Sequence, residues 1–180
     1  MARRRSTSRQ NGSGRSLQNA AVANSSGRQE DRSRLWTPRH HAYFAVLQLR
    51  PGSRCLTTDA CVPISALADC IEETVIDIAE HCLLAPVFGH VGDGNFHCLV
   101  LVDPNDRSEV ELAEAFSQRL VRRALRHGGT STGEHGVGLH KIGYLVEEHG
   151  EAAVAIMRSI KRALDPLDIF NPGKVVTARA

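Results

Sequence analysis

The chain has 180 residues, 42% of them hydrophobic and 23% charged, which suffices for the core of one soluble domain. No stretch approaches the roughly 18 consecutive apolar residues of a transmembrane helix, so we expect no membrane span. The formal net charge is +2, yet residues 1–28 hold six arginines and no acid, and subtracting six from +2 leaves −4 for the rest. Because the positive charge lies on this segment rather than on a folded face, nucleic-acid binding is not indicated.

Residues 1–28 are rich in arginine, serine and glycine and contain few large apolar side chains. Such a composition cannot offset the entropy of ordering, so we predict a disordered tail over 1–28 and a folded domain over 29–180. An Arg-rich, acid-free start is also typical of transit peptides, although no clear amphipathic periodicity is present. The five cysteines form no CxxC pair, which indicates a reducing compartment. We expect a soluble cytoplasmic protein, or a mitochondrial one in a eukaryote.

In chain order, the first predicted element is a helix over residues 30–49, interrupted or kinked at Pro38, which lacks a backbone donor. A strand is predicted over 54–62. Ser65 is then placed to cap the N-terminus of a second helix. The apolar residues of that helix recur every three or four positions and are expected to share one face: Leu67, Ile71, Val75, Ile78 and Cys82.

A β-hairpin is predicted next. Two β-like runs, residues 85–91 and 95–102, are separated by a segment with an Asp-Gly pair, which is typical of a two-residue turn. In that register His90 lies directly opposite His97. Both imidazoles would then project from one face, with Cβ atoms roughly 4.5–5.5 Å apart.

The C-terminal half is predicted to be mainly helical. A helix over residues 107–127 is stopped by Gly128, shorter helices cover 139–148 and 151–164, and an Asn-Pro-Gly turn follows at 171–173. The order of elements predicts an α+β fold in which helices pack on an antiparallel sheet.

The hairpin histidines indicate a metal site. A divalent cation that binds one nitrogen from each of His90 and His97 needs a further ligand, and Glu134, framed by glycines, offers a carboxylate. Two histidines and one carboxylate leave coordination positions open for substrate or water, which is typical of a catalytic centre. The adjacent His135 points another way and is a candidate general base. We interpret the other six histidines as structural.

Five spaced motifs carry a resemblance to a known family. They are LW to RH at 35–40, TDACVP at 58–63, GHVGDGNFH at 89–97, GEHGVG at 133–138, and DP to NPGK at 165–174. With these motifs the chain resembles the C-terminal substrate and cap domain of FAD-linked oxidases, from about residue 30 onward. That family includes D-lactate dehydrogenase, glycolate oxidase and D-2-hydroxyglutarate dehydrogenase.

The resemblance implies a role for each residue of the candidate metal site. His90, His97 and Glu134 would hold zinc or manganese, which polarises the hydroxyl and carboxylate of a 2-hydroxy acid. His135 would remove the hydroxyl proton while the α-hydride passes to FAD. The implied reaction is the oxidation of a 2-hydroxy acid to a 2-oxo acid by a flavoprotein oxidoreductase.

The resemblance also assigns residues outside this cluster. Arg39, which spacing alone would leave in solvent, would hold the substrate carboxylate, and Asn171 would lie near the flavin. Dicarboxylate-specific members carry a lysine where this chain has Thr57, which favours a monocarboxylate such as D-lactate or glycolate. His140 stands where many members have glycine and therefore alters the contour of that loop.

The family places a flavin-binding domain before this one, and the chain has no Gly-rich phosphate-binding stretch to supply it. We therefore expect FAD to be bound mainly by a separate domain or subunit, and the chain alone to be an inactive fragment. Two alternatives stay open. One is a non-catalytic metal-binding module, and the other is a metal-dependent hydrolase that uses the same ligands around activated water.

Overall fold

A computed structural model describes residues 29–177, so the predicted tail over 1–28 lies outside the described residues. The chain divides into two compact units, residues 1–42 and 43–180. The first predicted helix is present as α1, Gln29–Leu47, with Pro38 inside it. Within the described part of the chain, no helix combines the length and the hydrophobicity that a bilayer span requires.

Four antiparallel strands form the sheet, with β4 at its centre. They are β1 (Arg54–Thr57), β2 (Ala60–Cys61), β3 (Val87–His90) and β4 (Asn95–Val102). Each of the first three pairs with β4. Every residue of β4 is buried, as expected when both faces of a central strand are covered. The predicted α+β fold with an antiparallel sheet is confirmed.

The strand predicted over residues 54–62 is interrupted between β1 and β2. At the interruption, the Thr58 N–H donates to the Cys98 carbonyl at 3.0 Å, and the Thr58 hydroxyl accepts from the Cys98 N–H at 2.8 Å. The next residue, Asp59, is only 3% exposed. The interruption therefore places a carboxylate inside the domain, where it needs hydrogen-bond donors.

The predicted hairpin forms in a different register. His90 pairs with Asn95, so the prediction that His90 lies directly opposite His97 is wrong. Instead of a two-residue turn, a 3-10 turn over Val91–Asp93 is followed by Gly94 with a φ of 75°. The shift is two residues, and side chains alternate with a period of two, so His90 and His97 remain on one face as diagonal neighbours.

Three further helices follow: α2 (Leu67–Glu80), α3 (Arg107–Arg126) and α4 (Tyr144–Leu164). The predicted end of α3 is confirmed, because Gly128 adopts a φ of 73°. α4 is broken at Gly150, where φ is 79° and ψ is 161°. This break separates the two predicted helices, although the first begins only at Tyr144 rather than at residue 139.

The start and the buried face of α2 differ from the prediction. Ser65 lies within a 3-10 turn over Ile64–Ala66, and the N-cap residue of α2 is Ala66, which makes no side-chain capping bond. The predicted cap is therefore wrong. Val75 is 50% exposed because polar residues share the inner face, whose buried members are Leu67, Cys70, Thr74 and Asp77.

β4 separates two different environments. Its even-numbered residues belong to the main hydrophobic cluster with α2 and α3. Its odd-numbered residues lie on the opposite face, where Leu99 and Leu101 pack with Val46. The remaining odd-numbered residues, Asn95 and His97, are buried and polar. The polar half of this second face carries the candidate site.

A buried ion cluster joins α2 to α3. Arg123 Nη2 donates to Asp77 Oδ2 at 2.6 Å, and Arg123 Nη1 donates to Thr74 Oγ1 at 3.1 Å. Arg119 donates to the same carboxylate at 2.7–3.1 Å. Burial by itself raises the pKa of Asp77, but the two guanidinium groups outweigh burial and hold that pKa below its ordinary value.

We predict that Asp77→Asn lowers the free energy of unfolding by about 3–5 kcal/mol near neutral pH, because Arg123 loses its buried counter-charge and keeps only the half-exposed Glu73 carboxylate, 3.5 Å from its Nε. The folded-state pKa of Asp77 lies below the unfolded value of about 3.9. Its stabilising contribution is therefore complete above the unfolded pKa and is lost as the pH falls through the folded pKa. Urea denaturation should show a difference between wild type and variant that shrinks in acid.

The control is Glu111→Gln, which breaks the exposed Arg107–Glu111 pair on α3. We expect no measurable change in its free energy of unfolding, since exposed pairs contribute little. An Asp77→Asn deficit that is as large well below the unfolded pKa of about 3.9 as at neutral pH would contradict the proposed pH linkage.

Candidate metal and active site

His97 is the buried member of the site. It lies on β4 and is 2% exposed. Its Nδ1 atom is 3.0 Å from the Thr58 carbonyl oxygen. Because a carbonyl oxygen can only accept, Nδ1 carries the proton, which leaves the lone pair of the neutral ring on Nε2. The strand interruption at Thr58 thereby decides which nitrogen of His97 can act as a ligand.

His90 and Glu134 converge on that nitrogen. His90 ends β3, and its ring centroid is 6.3 Å from that of His97, with the rings edge-on at 88°. Glu134 lies in the loop between α3 and α4. Its Oε1 is 2.8 Å from His97 Nε2, and its Oε2 is 3.8 Å from His90 Nε2. The structure thus brings these three predicted ligands together, with their ligand atoms within 4.8 Å of one another.

The contact between His97 Nε2 and Glu134 Oε1 is short but does not have hydrogen-bond geometry. Among the described residues, this buried nitrogen has no hydrogen-bond partner. With the proton on Nδ1, both atoms are acceptors, because an ionised carboxylate only accepts. Two acceptors at this separation repel each other unless a positive charge lies beside them. Two imidazole nitrogens and a carboxylate form a ligand set that fits zinc or manganese.

His135 completes the cluster from the same loop as Glu134. Its ring stacks on that of His97, with centroids 5.0 Å apart and an angle of 10° between the planes. His135 Nε2 lies 3.8 Å from Glu134 Oε1, and its side chain is 46% exposed. His135 is thus an accessible imidazole beside the candidate ligand set.

The backbone of this loop is held by Asp59. The Oδ2 atom of Asp59 accepts the N–H groups of Gly133, Glu134 and His135 at 2.8, 3.1 and 2.9 Å. It also accepts the hydroxyl of Thr132 at 2.9 Å. Successive N–H groups aimed at one anion form a compact anion-binding nest. Here the anion is the Asp59 side chain, and the nest fixes the backbone of Glu134 and His135.

Two further donors satisfy the same carboxylate. Asn95 Nδ2 donates to Asp59 Oδ1 at 2.9 Å, and Lys141 Nζ lies 3.5 Å from Oδ2. Burial alone raises the pKa of Asp59, but the His135 N–H, the Asn95 amide and the Lys141 charge outweigh it and hold that pKa well below its usual range. Burial lowers the pKa of Lys141, and the charge of Asp59 opposes that shift. Asp59 is therefore ionised throughout the physiological pH range.

Asp59, His97 and His135 also lie close enough to form a second set of metal ligands. This set is the weaker one, because His97 Nδ1 is already bonded to the Thr58 carbonyl and Asp59 already accepts several hydrogen bonds. The lone pair on His97 Nε2 points instead to the set with His90 and Glu134. We therefore assign the candidate cation site to that first set.

Glycine is required at position 133 for steric reasons. A Cβ atom at Gly133 would lie 1.7 Å from Asn95 Nδ2 and 2.8 Å from Asp59 Oδ1. No side chain can be accommodated at such distances. Glycine at this position lets the loop approach the carboxylate closely enough for its N–H groups to bond.

A cavity of about 640 Å³ opens beside His135. It runs along β1 and is lined by one side of α3 and by the loop over residues 135–141. Thr57, Asp59 and Lys141 are among the lining residues. A volume of this order accommodates a small organic ligand.

Two further predicted site residues belong to α1 and to the C-terminal turn. Arg39 is half-buried on α1, in the first of the two units. Asn171 is exposed, adopts a φ of 48°, and accepts the Lys174 N–H at 3.2 Å in the predicted C-terminal turn. Their roles toward the substrate carboxylate and the flavin stay predictions. The exposed His140 lines the cavity.

Sequence reasoning did not single out Asp59, Asn95 or Lys141 as site residues. Asp59 did carry a signal, because a buried strand rarely contains a carboxylate unless it is paired. Asn95 was harder to identify as a site residue, because the two histidines of the same motif are the more obvious ligands. Lys141 had none, because a lysine in a loop is normally solvated.

Comparison with known proteins identifies the family. Residues 4–175 match the family described as FAD linked oxidases, C-terminal domain. The probable mitochondrial D-lactate dehydrogenase of Danio rerio is 51% identical over 148 residues, which cover 82% of this chain and 30% of that protein. The glycolate oxidase subunit GlcD of Bacillus subtilis is 34% identical over 147 residues, which cover 82% of this chain and 31% of that protein.

Among solved structures, the 4-ethylphenol oxidase of Gulosibacter chungangensis in its isoeugenol complex superimposes with a TM-score of 0.57. The match covers 83% of this chain and 31% of that chain at 21% identity, which shows a shared fold alone. The chain spans 30% and 31% of the length of the two curated relatives named above. It belongs to the family of FAD-linked oxidases and corresponds to the C-terminal domain of that family.

Proposed function

We propose that this chain is the substrate- and metal-binding part of an FAD-linked D-2-hydroxyacid dehydrogenase that oxidises a small 2-hydroxy acid to a 2-oxo acid. The names of the relatives support this reaction class, since they are D-lactate dehydrogenases and glycolate oxidase subunits. In this proposal the folded domain covers residues 29–180. The flavin is bound mainly by protein outside this chain, and FAD accepts the hydride. A mitochondrial location, as in the names of the eukaryotic relatives, is part of the proposal.

The observation that carries the proposal is the 2.8 Å approach of Glu134 Oε1 to the buried His97 Nε2, which lacks hydrogen-bond geometry. With His90, these residues would hold zinc or manganese. Bound there, the cation would supply Lewis acidity toward the hydroxyl and carboxylate oxygens of the substrate. The hydrogen bond from His97 Nδ1 to the Thr58 carbonyl orients the ring and, in the neutral tautomer, places the lone pair on Nε2.

His135 would act as the base in this reaction. Its exposed ring stacks on His97, so a substrate held beside the cluster can place its hydroxyl proton within reach of a His135 nitrogen. Accepting that proton leaves the electron pair on oxygen, which favours loss of hydride from the adjacent carbon. Arg39 would hold the substrate carboxylate through paired hydrogen bonds, and Asn171 would lie against the flavin.

The cavity beside His135 supports a small substrate. Thr57 and His135 both line it, so the residue at position 57 faces the same space as the proposed base. Thr57 cannot neutralise a second carboxylate, whereas a lysine there could. We therefore propose D-lactate or glycolate rather than a dicarboxylate.

We predict that His97→Ala abolishes high-affinity binding of Zn²⁺ by the full chain. Removing a direct ligand should weaken binding by more than the roughly 10–100-fold that loss of an outer partner costs. Isothermal titration with Zn²⁺ measures the affinity and the stoichiometry. His149→Ala, an exposed histidine outside the cluster, should bind Zn²⁺ as the wild type does. Equal affinities of His97→Ala and wild type would exclude the assigned site.

We predict that Thr57→Lys shifts substrate preference toward dicarboxylates. A lysine in the cavity can pair with a second carboxylate, so the affinity for D-2-hydroxyglutarate relative to D-lactate should rise about 10-fold or more. Titration of both acids into the Zn²⁺-loaded chain measures this ratio. Thr57→Val, which adds no charge, should leave the ratio unchanged. A ratio that stays constant in Thr57→Lys would show that position 57 does not face the substrate.

The reaction itself can be tested in a chimaera in which this chain replaces the matching residues of the Danio rerio relative. We predict that the chimaera oxidises D-lactate with reduction of a dye acceptor, and that the isolated chain with free FAD does not. His135→Gln should lower kcat by about 10²–10⁴-fold, the usual contribution of a general base, while Zn²⁺ affinity is retained. The matched control is His149→Gln.

Two outcomes would contradict this assignment. Hydrolysis of a simple ester by the isolated, metal-loaded chain would favour the metal-dependent hydrolase. A chimaera that binds metal and flavin but oxidises no 2-hydroxy acid would favour the non-catalytic module.

A further inference from the structure

We propose that Asp59 is a positioning residue for the metal site, which holds Glu134 and His135 in their working arrangement without contacting the substrate. This inference rests on the proposed function, because it concerns the same ligands. It adds a residue to which neither the motifs nor the comparisons assign a role. The geometry of the loop, the charge of Asp59 and the connections of Asp59 to the other ligands each support it.

The geometry concerns the direction of two adjacent side chains. The N–H groups of Gly133, Glu134 and His135 all point at one oxygen of Asp59. With three consecutive N–H groups fixed on one point, the backbone curls around the carboxylate. The Glu134 carboxylate then reaches His97 Nε2 while the His135 ring stacks on the flat side of His97. Without the anion, these three donors would have no common acceptor to hold the curl.

The charge matters as well as the shape. The Asp59 side chain is 1% exposed, so water cannot replace it as the acceptor. Its Oδ2 atom accepts from four donors within residues 132–135, and charge-assisted bonds of this kind are stronger than neutral ones. In Asp59→Asn, one oxygen becomes an NH₂ group, which can only donate. If that group takes the Oδ2 position, donors face donors. If it takes the Oδ1 position, it faces the Asn95 amide.

The connectivity links this anion to the other ligands. Asn95, which donates to Asp59 Oδ1, pairs with His90 across the hairpin. The carbonyl of Thr58, the neighbour of Asp59 in the chain, accepts a hydrogen bond from His97 Nδ1. Thr58 and Asp59 form the interruption between β1 and β2. Asp59 therefore contacts the α3–α4 loop and Asn95, the residue that pairs with His90, while Thr58 contacts the ring of His97. A change at Asp59 should act on metal binding through Glu134 in the first place.

The test uses Co²⁺ titrated into the full chain and followed by its visible absorption. We expect Asp59→Asn to weaken Co²⁺ affinity about 10–100-fold, the effect usual for loss of an outer partner. We also expect an altered visible spectrum at saturation, because Glu134 no longer coordinates in the same geometry. The matched control is Asp77→Asn, which removes another buried carboxylate in the α2–α3 ion cluster. It should lower the stability of the metal-free chain but leave Co²⁺ affinity and spectrum unchanged.

The second variant, Thr132→Val, removes only the hydroxyl that donates to Asp59. We expect it to fold and to weaken Co²⁺ affinity about 2- to 10-fold, the effect of one hydrogen bond. It decides the question if Asp59→Asn does not fold. Wild-type affinity and spectrum in Asp59→Asn, or unchanged affinity in Thr132→Val when Asp59→Asn is unfolded, would overturn the positioning role alone. Failure of the wild-type chain to bind Co²⁺ would overturn the proposed metal site as well.

Discussion

A carboxylate removed from water must be surrounded by donors, and Asp59 obtains them from the loop that carries Glu134 and His135. The interruption of the strand at Thr58 and Asp59 makes this possible. An uninterrupted strand would point alternate side chains to opposite faces and would offer no carbonyl to His97 Nδ1. The local loss of regular pairing thus creates both the anchor of the loop and the orientation of the buried His97 ring.

The sheet supports the candidate site because the two faces of β4 lie in different environments. One face supplies apolar side chains to the cluster formed with α2 and α3, so the strand is held rigidly. The other face begins with Asn95 and His97 and continues with Leu99 and Leu101. A side chain such as His97, on a strand that is packed on its reverse side, has little freedom to move. Such rigidity suits a metal centre, whose ligands must keep fixed distances.

The site combines one buried and several accessible groups. The side chain of His97 is 3% exposed, while His90, Glu134 and His135 are 34%, 47% and 46% exposed. A ligand set that is closed on one side and open on the other leaves room for a second molecule, as a catalytic centre requires. The chain spans 30% and 31% of the length of the two curated relatives named above.

The sequence alone determined the fold class, most of the helices and the shared face of the two histidines. Alternation with a period of two keeps His90 and His97 together even though the turn shifts the register by two residues. Local patterns could not determine that register, because the 3-10 turn over Val91–Asp93 lengthens the connection. Nor could they reveal the bonds of Asp59 to residues more than seventy positions away, which exist only once the α3–α4 loop folds back over the sheet. Hydrophobic periodicity reports where a chain is buried, whereas the partners of a buried charge depend on which distant backbone atoms the tertiary fold brings beside it.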